Sequence, residues 1–336
     1  MGDAAGIGPE IIVKALAEPQ IRRAAKFIVF GMNEQLCYAA DNAELEPYWG
    51  RHQHEKISRD YPYKVVVADY DEYSVPPWIR EPSKSAGEAS IRFCLDAIDA
   101  ARAGIIDAVV TAPINKTSWK LAGAEWPGHT EMLAQRCKSK RKVMMFIAGE
   151  LKLALATIHE ALFEVRHKFT IGCVFEPIDL LNTALQEYFG IENPKIGVAA
   201  LNPHAGEAGQ FGDEEQRIIT PAILLAQHHG INCQGPFAAD TLFLRAVQGE
   251  FDAVVAMYHD QGLIPVKLLA FDNAVNVTLG IPIIRTSPAH GTAFDIAGKD
   301  LANPAGMKAA ITTAIQMVTT KKNRQPAQAK AEIDAD

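Results

Sequence analysis

Residues 107–116 read DAVVTAPINK, a short apolar run rich in β-branched residues that is followed at once by polar residues. Runs of this kind recur along the chain and are separated by helix-like stretches. They are typical of strands covered on both faces of a sheet, and their alternation with helices predicts an α/β protein with largely parallel strands. The predicted strands are 26–31, 63–68, 107–111, 142–147, 151–157, 195–201 and 252–257, and the predicted helices are 8–17, 85–103, 177–189, 214–228 and 305–318.

Composition excludes several classes of protein. The chain has 336 residues, 48% hydrophobic and 22% charged, which excludes a disordered or fibrous protein and predicts two domains or lobes. A formal net charge of −7 argues against a nucleic-acid or anionic-membrane binder. No apolar run is long enough to span a membrane, and the N-terminus does not resemble a signal peptide. Five scattered cysteines predict free thiols in a cytoplasmic protein.

Three histidines follow predicted strands at the point where each strand ends. His159 follows the strand 151–157, His204 the strand 195–201, and His259 the strand 252–257. In open α/β sheets, ligands bind beyond the carboxyl ends of the strands, so parallel strands would present these imidazoles at one rim. Three converging imidazoles predict a divalent metal site. The spacings match no local zinc motif, and the alternative is that each histidine bonds a nearby backbone carbonyl.

Two loops have compositions that suit anions. The stretch GHTE at 128–131 precedes a helical run, so backbone amides together with His129 and Thr130 predict an anion site at a helix N-terminus. The stretch LGIPIIRTSPAHGTAFDIAG at 279–298 is dense in Gly, Pro, Ser and Thr, and it predicts a phosphate or dinucleotide loop or, alternatively, an ordered surface loop. The fragment GIG at 6–8 is too short to indicate a dinucleotide fingerprint.

These motifs, taken together and in order, resemble the NAD-dependent 4-hydroxythreonine-4-phosphate dehydrogenase family of pyridoxal phosphate biosynthesis. The resemblance extends from residue 2 to about residue 318. The motifs that carry it are GDAAGIGPE, TAPINK, GHTE, LNPHAGEAGQFGDEE, GPFAADTLF, MYHDQGLIPVK and LGIPIIRTSPAHGTAFDIAG.

The resemblance implies a fold similar to that of isocitrate and isopropylmalate dehydrogenases rather than a Rossmann fold. Two α/β/α lobes would flank a cleft, with residues 1–122 and 290–336 in the first lobe and residues 123–289 in the second. The second lobe would carry the metal and the dimer contacts. The resemblance further implies a homodimer whose active site is completed by the neighbouring subunit.

The resemblance also implies roles for individual residues. The metal ligands would be His159, His204 and His259, which together would hold one divalent ion. Imidazole ligands favour Zn or Co, and Mg or Mn are the alternatives. The general base is left open among Lys116, Asp240, Asp260 and Lys267. Substrate contacts would come from His129, Thr130, Lys267, Asn276 and Arg285, and cofactor contacts from Leu279, Gly280, Ser287, His290, Gly291 and Thr292.

The implied reaction is oxidation of 4-phosphohydroxy-L-threonine at C3 by NAD, with NADP as the alternative, followed by loss of carbon dioxide to give 3-amino-2-oxopropyl phosphate. The partners would be this small phosphorylated substrate and a second copy of the chain, with no nucleic acid and no membrane. A metal ion on neutral imidazoles keeps its full charge, which suits alkoxide formation.

The chain departs from the family pattern in four places. Ala4 replaces a proline, Ala289 replaces a common aspartate, and Glu160 lies beside a predicted metal ligand. The family has a short strand before the glycine-rich turn, and we expect that strand to lie upstream of Met1.

Three other activities remain open from the residues. The first is a dehydrogenase of another four-carbon acid phosphate or of a dihydrodiol carboxylate, and the anion donors His129 and Thr130 favour a phosphorylated substrate over the latter. The second is a metal-dependent hydrolase with Glu160 or Glu207 as base. The third is an acyltransferase of related lobed architecture, in which the three histidines would have no role.

Overall fold

The structure, a computed structural model, describes the backbone of residues 1–333 and the side chains of residues 1–324. It falls into two units, one made of Met1–Lys140 and Ile281–Ile315, the other of Arg141–Gly280 and the residues from Gln316 on. These limits differ from those of the predicted lobes. Residues 123–140 and 281–289 belong to the first unit, and the end of the last helix belongs to the second.

Helices and strands alternate along the chain. The strands are β1 Phe27–Gly31, β2 Gly50–Gln53, β3 Val65–Asp69, β4 Ala108–Val110, β5 Val143–Ala148, β6 Leu151–Leu155, β7 Ile196–Ala199, β8 Cys233–Phe237, β9 Ala253–Ala256, β10 Val275–Leu279 and β11 Ile284–Pro288. The α-helices are α1 Gly8–Ala17, α2 Pro19–Ala24, α3 Asn33–Asn42, α4 Lys84–Arg102, α5 Lys116–Leu121, α6 His129–Arg136, α7 Val165–Lys168, α8 Ile171–Phe189, α9 Thr220–His228, α10 Ala239–Val247, α11 His259–Ala270 and α12 Ala305–Ile333. Shorter helical segments are His54–Lys56, Leu162–Glu164, Pro203–Gly209 and a π-helix at Glu215–Ile219.

The first unit contains a three-stranded parallel sheet in the order β1-β3-β2. All five residues of the central strand β3 are buried, as expected for a strand covered on both faces. In the same unit β4 pairs in parallel with β11, placing Arg285 opposite Val109 and Thr286 opposite Val110. The largest fully buried side chains of this unit include Trp119, Tyr70 and Phe93.

The second unit contains strands in the order β10-β5-β6-β9-β7-β8. The neighbours β6, β9, β7 and β8 run parallel, whereas β5 is antiparallel to both β6 and β10. The sheet is therefore mixed. Because β6, β9 and β7 are adjacent and parallel, the segments that carry His159, His259 and His204 leave the sheet at one edge, as the sequence predicted.

The seven predicted strands correspond to β1, β3, β4, β5, β6, β7 and β9. Four strands were missed because their sequences lack a plain apolar run. β2 alternates between exposed and half-buried residues, and β8 contains Gly235 and Pro236. The interpretation of 279–298 as a loop is wrong in part, since Ile284–Pro288 forms the fully buried strand β11.

Three predicted helices have different limits. The predicted helix 305–318 is longer in the structure, where α12 ends at Ile333. α8 begins at Ile171, and Pro177, where the sequence predicts the helix start, lies inside the helix. The predicted helix 214–228 is a π-helical turn followed by α9. Within residues 1–333, no helix is long and apolar enough to cross a membrane. All five cysteines carry free thiols, as predicted.

The close approach of α4 to α5 gives a testable prediction. A Cβ on Gly87 would lie 2.1 Å from the Ser118 carbonyl oxygen, a backbone atom that cannot move aside cheaply. We expect Gly87→Ala to lower the free energy of unfolding by about 1–3 kcal/mol, measured by chemical denaturation. The matched control is Gly172→Ala in α8, where the nearest atom is 4.0 Å away, and it should be neutral or slightly stabilising. Equal stability of the two variants would contradict this packing.

Candidate active site

Arg285 lies at the centre of a buried polar cluster in the first unit. It sits on β11 opposite Val109 of β4, and Thr111 follows two residues later on the same face of that strand. The register therefore brings the two side chains together, and Nη2 of Arg285 donates to Oγ1 of Thr111 at 2.7 Å. The same Nη2 lies 3.4 Å from Nδ1 of His129, the first residue of α6. Arg285 and Thr111 are 3% and 8% exposed.

Burial decides the charge of this cluster. It lowers the pKa of Arg285 to about 10, so the guanidinium remains cationic at neutral pH. Burial and the positive charge of Arg285 both hold the pKa of His129 well below its ordinary value of 6.5. The cluster therefore carries one buried positive charge beside a neutral imidazole, an arrangement suited to an anion.

The ring of His129 packs against Trp119 on α5, with the centroids 5.5 Å apart and the planes at 83°. Nε1 of Trp119 donates to Oγ of Ser90 at 2.9 Å, which fixes the indole. Lys116 begins α5, and a Cβ on Gly128 would lie 3.6 Å from its Cε. Three predicted site residues, Lys116, His129 and Arg285, thus lie near one another, and Thr130 follows in the first turn of α6.

The glycine-rich turn at residues 2–8 is tied to this region by Asp3. The Asp3 carboxylate accepts a hydrogen bond from Oγ of Ser118 at 2.7 Å. The backbone amide of Asp3 donates to the carbonyl of Pro113 at 2.9 Å. Burial raises the pKa of Asp3. Gly6 abuts Thr292, where a Cβ would come within 2.9 Å, so the turn packs directly on the segment that follows β11.

Four predicted cofactor residues lie on or after β11 in the first unit. Ser287 and Thr292 are buried, and Gly291 is exposed with open space where a Cβ would stand. The carbonyl of Gly291 only accepts, so Nδ1 of His290, 3.1 Å away, carries the proton. Nε2 of His290 is then an acceptor; it is buried and has no hydrogen-bond partner among the described residues. This orphaned acceptor fits a bound group with amide or hydroxyl hydrogens.

The other two predicted cofactor residues, Leu279 and Gly280, end β10 in the second unit. Leu279 is buried. Gly280 has φ +82°, and a Cβ there would lie 2.5 Å from the carbonyl oxygen of Arg141. The positive φ and the close approach of Arg141 are by themselves enough to require a glycine at this position.

Two of the three predicted metal ligands lie side by side. The rings of His159 and His259 have centroids 5.9 Å apart. Their segments are joined just beyond the sheet, where the amide and Oγ1 of Thr157 both donate to the carbonyl of Met257, at 3.1 and 2.8 Å. A pair of imidazoles at this separation fits two ligand positions of one divalent ion.

His204 is not part of that pair. Its Nδ1 lies 3.3 Å from Oε2 of Glu207, and its side chain is 67% exposed. No group of three His, Cys, Asp or Glu side chains within the described part of the chain is arranged to hold a metal. The assignment of His159, His204 and His259 to one divalent ion therefore stays a prediction, and the strands that carry them are neighbours.

The physical reason lies in the backbone of the His204 segment. All five residues from His204 to Ala208 have positive φ, between 45° and 79°. This left-handed turn is anchored by Glu215, whose Oε1 accepts from the amides of Leu201 and Asn202 at 2.9 and 2.7 Å. Such a turn redirects the chain at the strand end, which the sequence pattern cannot show.

The remaining candidates occupy different environments in the second unit. Asp240 is exposed at the start of α10, and Oδ1 of Asp260 lies 2.7 Å from Nδ1 of His259. Burial lowers the pKa of Lys267 on α11, and its Nζ lies 5.3 Å from the centre of the Phe271 ring. Asn276, on β10, has a buried Oδ1 with no hydrogen-bond partner among the described residues.

Two departures from the family pattern have plain structural settings. Ala4 is buried, at 1% exposure. Glu160 forms an ion pair with Lys168 at 2.7 Å, so its carboxylate is not a bare charge beside His159.

Comparison with known proteins identifies the family. The profile of the family described as pyridoxal phosphate biosynthetic protein PdxA matches residues 23–314. The chain belongs to the PdxA family. A 4-hydroxythreonine-4-phosphate dehydrogenase of Geobacter metallireducens is 45% identical, over 96% of this chain and 95% of the relative. The solved structure of such an enzyme from Klebsiella pneumoniae has a TM-score of 0.84 and 37% identity, covering 95% and 96% of the two chains.

More distant structures of similar fold limit what the fold alone can say about activity. A terephthalate 1,2-cis-dihydrodiol dehydrogenase of Burkholderia xenovorans has a TM-score of 0.66 at 31% identity, covering 94% of this chain and 96% of that one. A Staphylococcus aureus phosphotransacetylase, at 13% identity and a TM-score of 0.51, shares the fold alone. The predicted family and the predicted α/β fold class, distinct from a Rossmann fold, are confirmed.

Sequence reasoning missed Thr111 and Trp119. Thr111 is the last residue of an apolar run and Trp119 reads as ordinary core, so neither carries a local signal. The role of Thr111 depends on the pairing of β4 with β11, and that of Trp119 on its contact with His129. A single PdxA sequence reveals neither.

The state of His129 predicts a pH effect on stability. Because its folded pKa lies below 6.5, the unfolded chain takes up the proton first, so stability falls as the pH drops below about 6.5, by up to about 1.4 kcal/mol per pH unit. Between about pH 7 and pH 5.5, we expect the free energy of unfolding of His129→Gln to fall by about 1 kcal/mol less than that of the parent, measured by urea unfolding. His228→Gln, at an exposed histidine, is the control and should follow the parent. Parallel pH curves for parent and His129→Gln would contradict a neutral His129.

Proposed function

We propose that this chain, as a cytoplasmic homodimer, oxidises 4-phosphohydroxy-L-threonine at C3 with NAD, or NADP, as hydride acceptor. The 3-oxo acid then loses carbon dioxide to give 3-amino-2-oxopropyl phosphate. The observation that carries this proposal is the buried cation Arg285 beside the neutral His129, in a chain whose relatives are named for this substrate.

The anion cluster suits a substrate with two anionic ends. A guanidinium offers five N–H donors in a planar fork that matches a phosphate or carboxylate. Its burial strengthens this attraction, since little water competes. We assign Arg285, His129 and Thr130 to one anionic end of the substrate, and we propose Lys267 and Asn276 as further substrate contacts.

For the metal, we propose one divalent ion, Zn, Co, Mg or Mn, held by His159, His204 and His259, with the ligand set completed across the dimer. The paired rings of His159 and His259 and the exposed side chain of His204 support this assignment. When bound, the ion would polarise the C3 oxygen and stabilise the negative charge that develops on decarboxylation.

For the cofactor, we propose that Ser287, His290, Gly291 and Thr292, together with Leu279 and Gly280, contact the nicotinamide dinucleotide. The orphaned acceptor Nε2 of His290 supports this. Among the candidate bases, Lys267 fits best. Burial lowers its pKa, which brings an amine closer to the range in which it can accept a proton at neutral pH.

D-Threonate 4-phosphate is a second candidate substrate. A protein of Oceanobacillus iheyensis provisionally named D-threonate 4-phosphate dehydrogenase is 42% identical over 96% of this chain. The two substrates share the phosphate and differ at C2, where a hydroxyl replaces the amine. The anion cluster serves both.

The test is an NAD-reduction assay with each phosphorylated substrate, with and without a chelator. We expect turnover on 4-phosphohydroxy-L-threonine, lost with the chelator and restored by Zn²⁺ or Co²⁺. Turnover on D-threonate 4-phosphate alone would select the second candidate, and no NAD reduction with either would refute the dehydrogenase assignment.

A variant pair tests the anion cluster. Arg285→Ala should lower kcat/KM by about 10- to 100-fold, because a charge-assisted bond to the substrate is lost. Arg23→Ala, at an exposed arginine of the same unit, should leave it unchanged. An Arg285→Ala enzyme with the parent's kcat/KM would remove Arg285 from the site.

A further inference from the structure

The contact between Arg285 and His129 fixes which ring nitrogen of the histidine carries a proton. Nη2 of Arg285 lies 3.4 Å from Nδ1 of His129. A guanidinium has donors and no acceptor, so Nδ1 can only accept here. The proton of a neutral ring must then reside on Nε2.

That proton is the only one bound to a nitrogen of the His129 ring. Burial and the charge of Arg285 disfavour the imidazolium, so His129 is neutral at neutral pH. A neutral ring that accepts at Nδ1 is a single tautomer, with Nε2–H as its only donor.

Thr111 sets the direction from which Arg285 donates. The Nη2 group has two hydrogens, and Oγ1 of Thr111, at 2.7 Å, accepts one of them. The other is thereby directed toward Nδ1 of His129. Thr111 is itself well held, since its amide donates to the carbonyl of Thr286 at 3.0 Å and its branched side chain has few rotamers.

Trp119 also packs against the His129 ring. The indole is 1% exposed, meets the imidazole nearly at a right angle and is hydrogen-bonded to Ser90. The plane of the His129 ring is therefore fixed by packing, while the identity of its donor nitrogen is fixed by Arg285.

We propose that Thr111 is a positioning residue for anion recognition: through Arg285 it holds His129 in the Nε2–H tautomer, so that Nε2 donates to an anionic oxygen of the substrate. The identity of that substrate rests on the proposed function. The tautomer does not, because it follows from contacts within the chain.

The direct test is nitrogen NMR of the full chain labelled with ¹⁵N-histidine, with His129→Gln used to assign the signals. We expect His129 to show a protonated Nε2 and a bare Nδ1, and addition of inorganic phosphate to shift Nε2 more than Nδ1. A His129 ring protonated at Nδ1, or at both nitrogens, at neutral pH overturns the proposal.

Two substitutions at position 111 test the relay. Thr111→Val keeps the shape and removes the hydroxyl, whereas Thr111→Ser keeps the hydroxyl and serves as the matched control. We expect Thr111→Val to show a mixture of His129 tautomers and a KM for the phosphorylated substrate raised about tenfold or more, with a smaller change in kcat. Thr111→Ser should retain the parent tautomer and KM.

The outcomes separate this proposal from the proposed function. A single Nε2–H tautomer in Thr111→Val overturns the role of Thr111, whatever the KM. If Thr111→Val does not fold, the parent spectrum and Thr111→Ser still decide the tautomer. Absence of NAD reduction in the parent would refute the substrate assignment alone, because the NMR measurement needs no turnover.

Discussion

A cation buried at the end of a β-strand is the constraint on which the first unit depends. Burying a guanidinium at 3% exposure is costly, and here the parallel pairing of β4 with β11 brings Thr111 into register as an acceptor for Nη2. Burial and the same charge together keep the pKa of His129 low and so suppress its protonation. The pairing of β4 with β11 thus fixes the position of the Arg285 charge, and that charge helps to keep the neighbouring His129 neutral.

The second unit meets a different constraint, which is to bring polar side chains from three parallel strands to one edge of a sheet. The strands β6, β9 and β7 provide the edge, and the bonds from Thr157 to Met257 hold two of the three outgoing segments together. The third segment leaves through a left-handed turn clamped by the buried Glu215. Its histidine is therefore oriented by backbone geometry rather than by the strand it follows.

Much of this organisation could be predicted from the sequence, and the misses share a cause. Apolar runs identified β1, β3 and β9 because burial on both faces leaves a continuous hydrophobic signal. Strand β11 escaped because it contains polar residues, and the burial of Arg285 and Thr286 is stabilised by partners distant in sequence. His129 and Arg285 were found through their motifs. The role of Thr111 depends on strand register, and the course of the chain at His204 depends on φ angles that no residue pattern encodes.

The left-handed turn at 204–208 has a consequence for the order in which the native state opens. Holding an L-residue in this conformation costs roughly 1–2 kcal/mol, and four of the five residues here are not glycine. Local opening of the turn releases that stored energy, while opening of a core strand releases none. The turn therefore costs less to rearrange than the core strands of its unit, and its amide hydrogens will exchange with solvent well before those of β6 or β9. A segment that opens at so small a cost can adapt its backbone to a ligand or a second subunit without disturbing the sheet behind it.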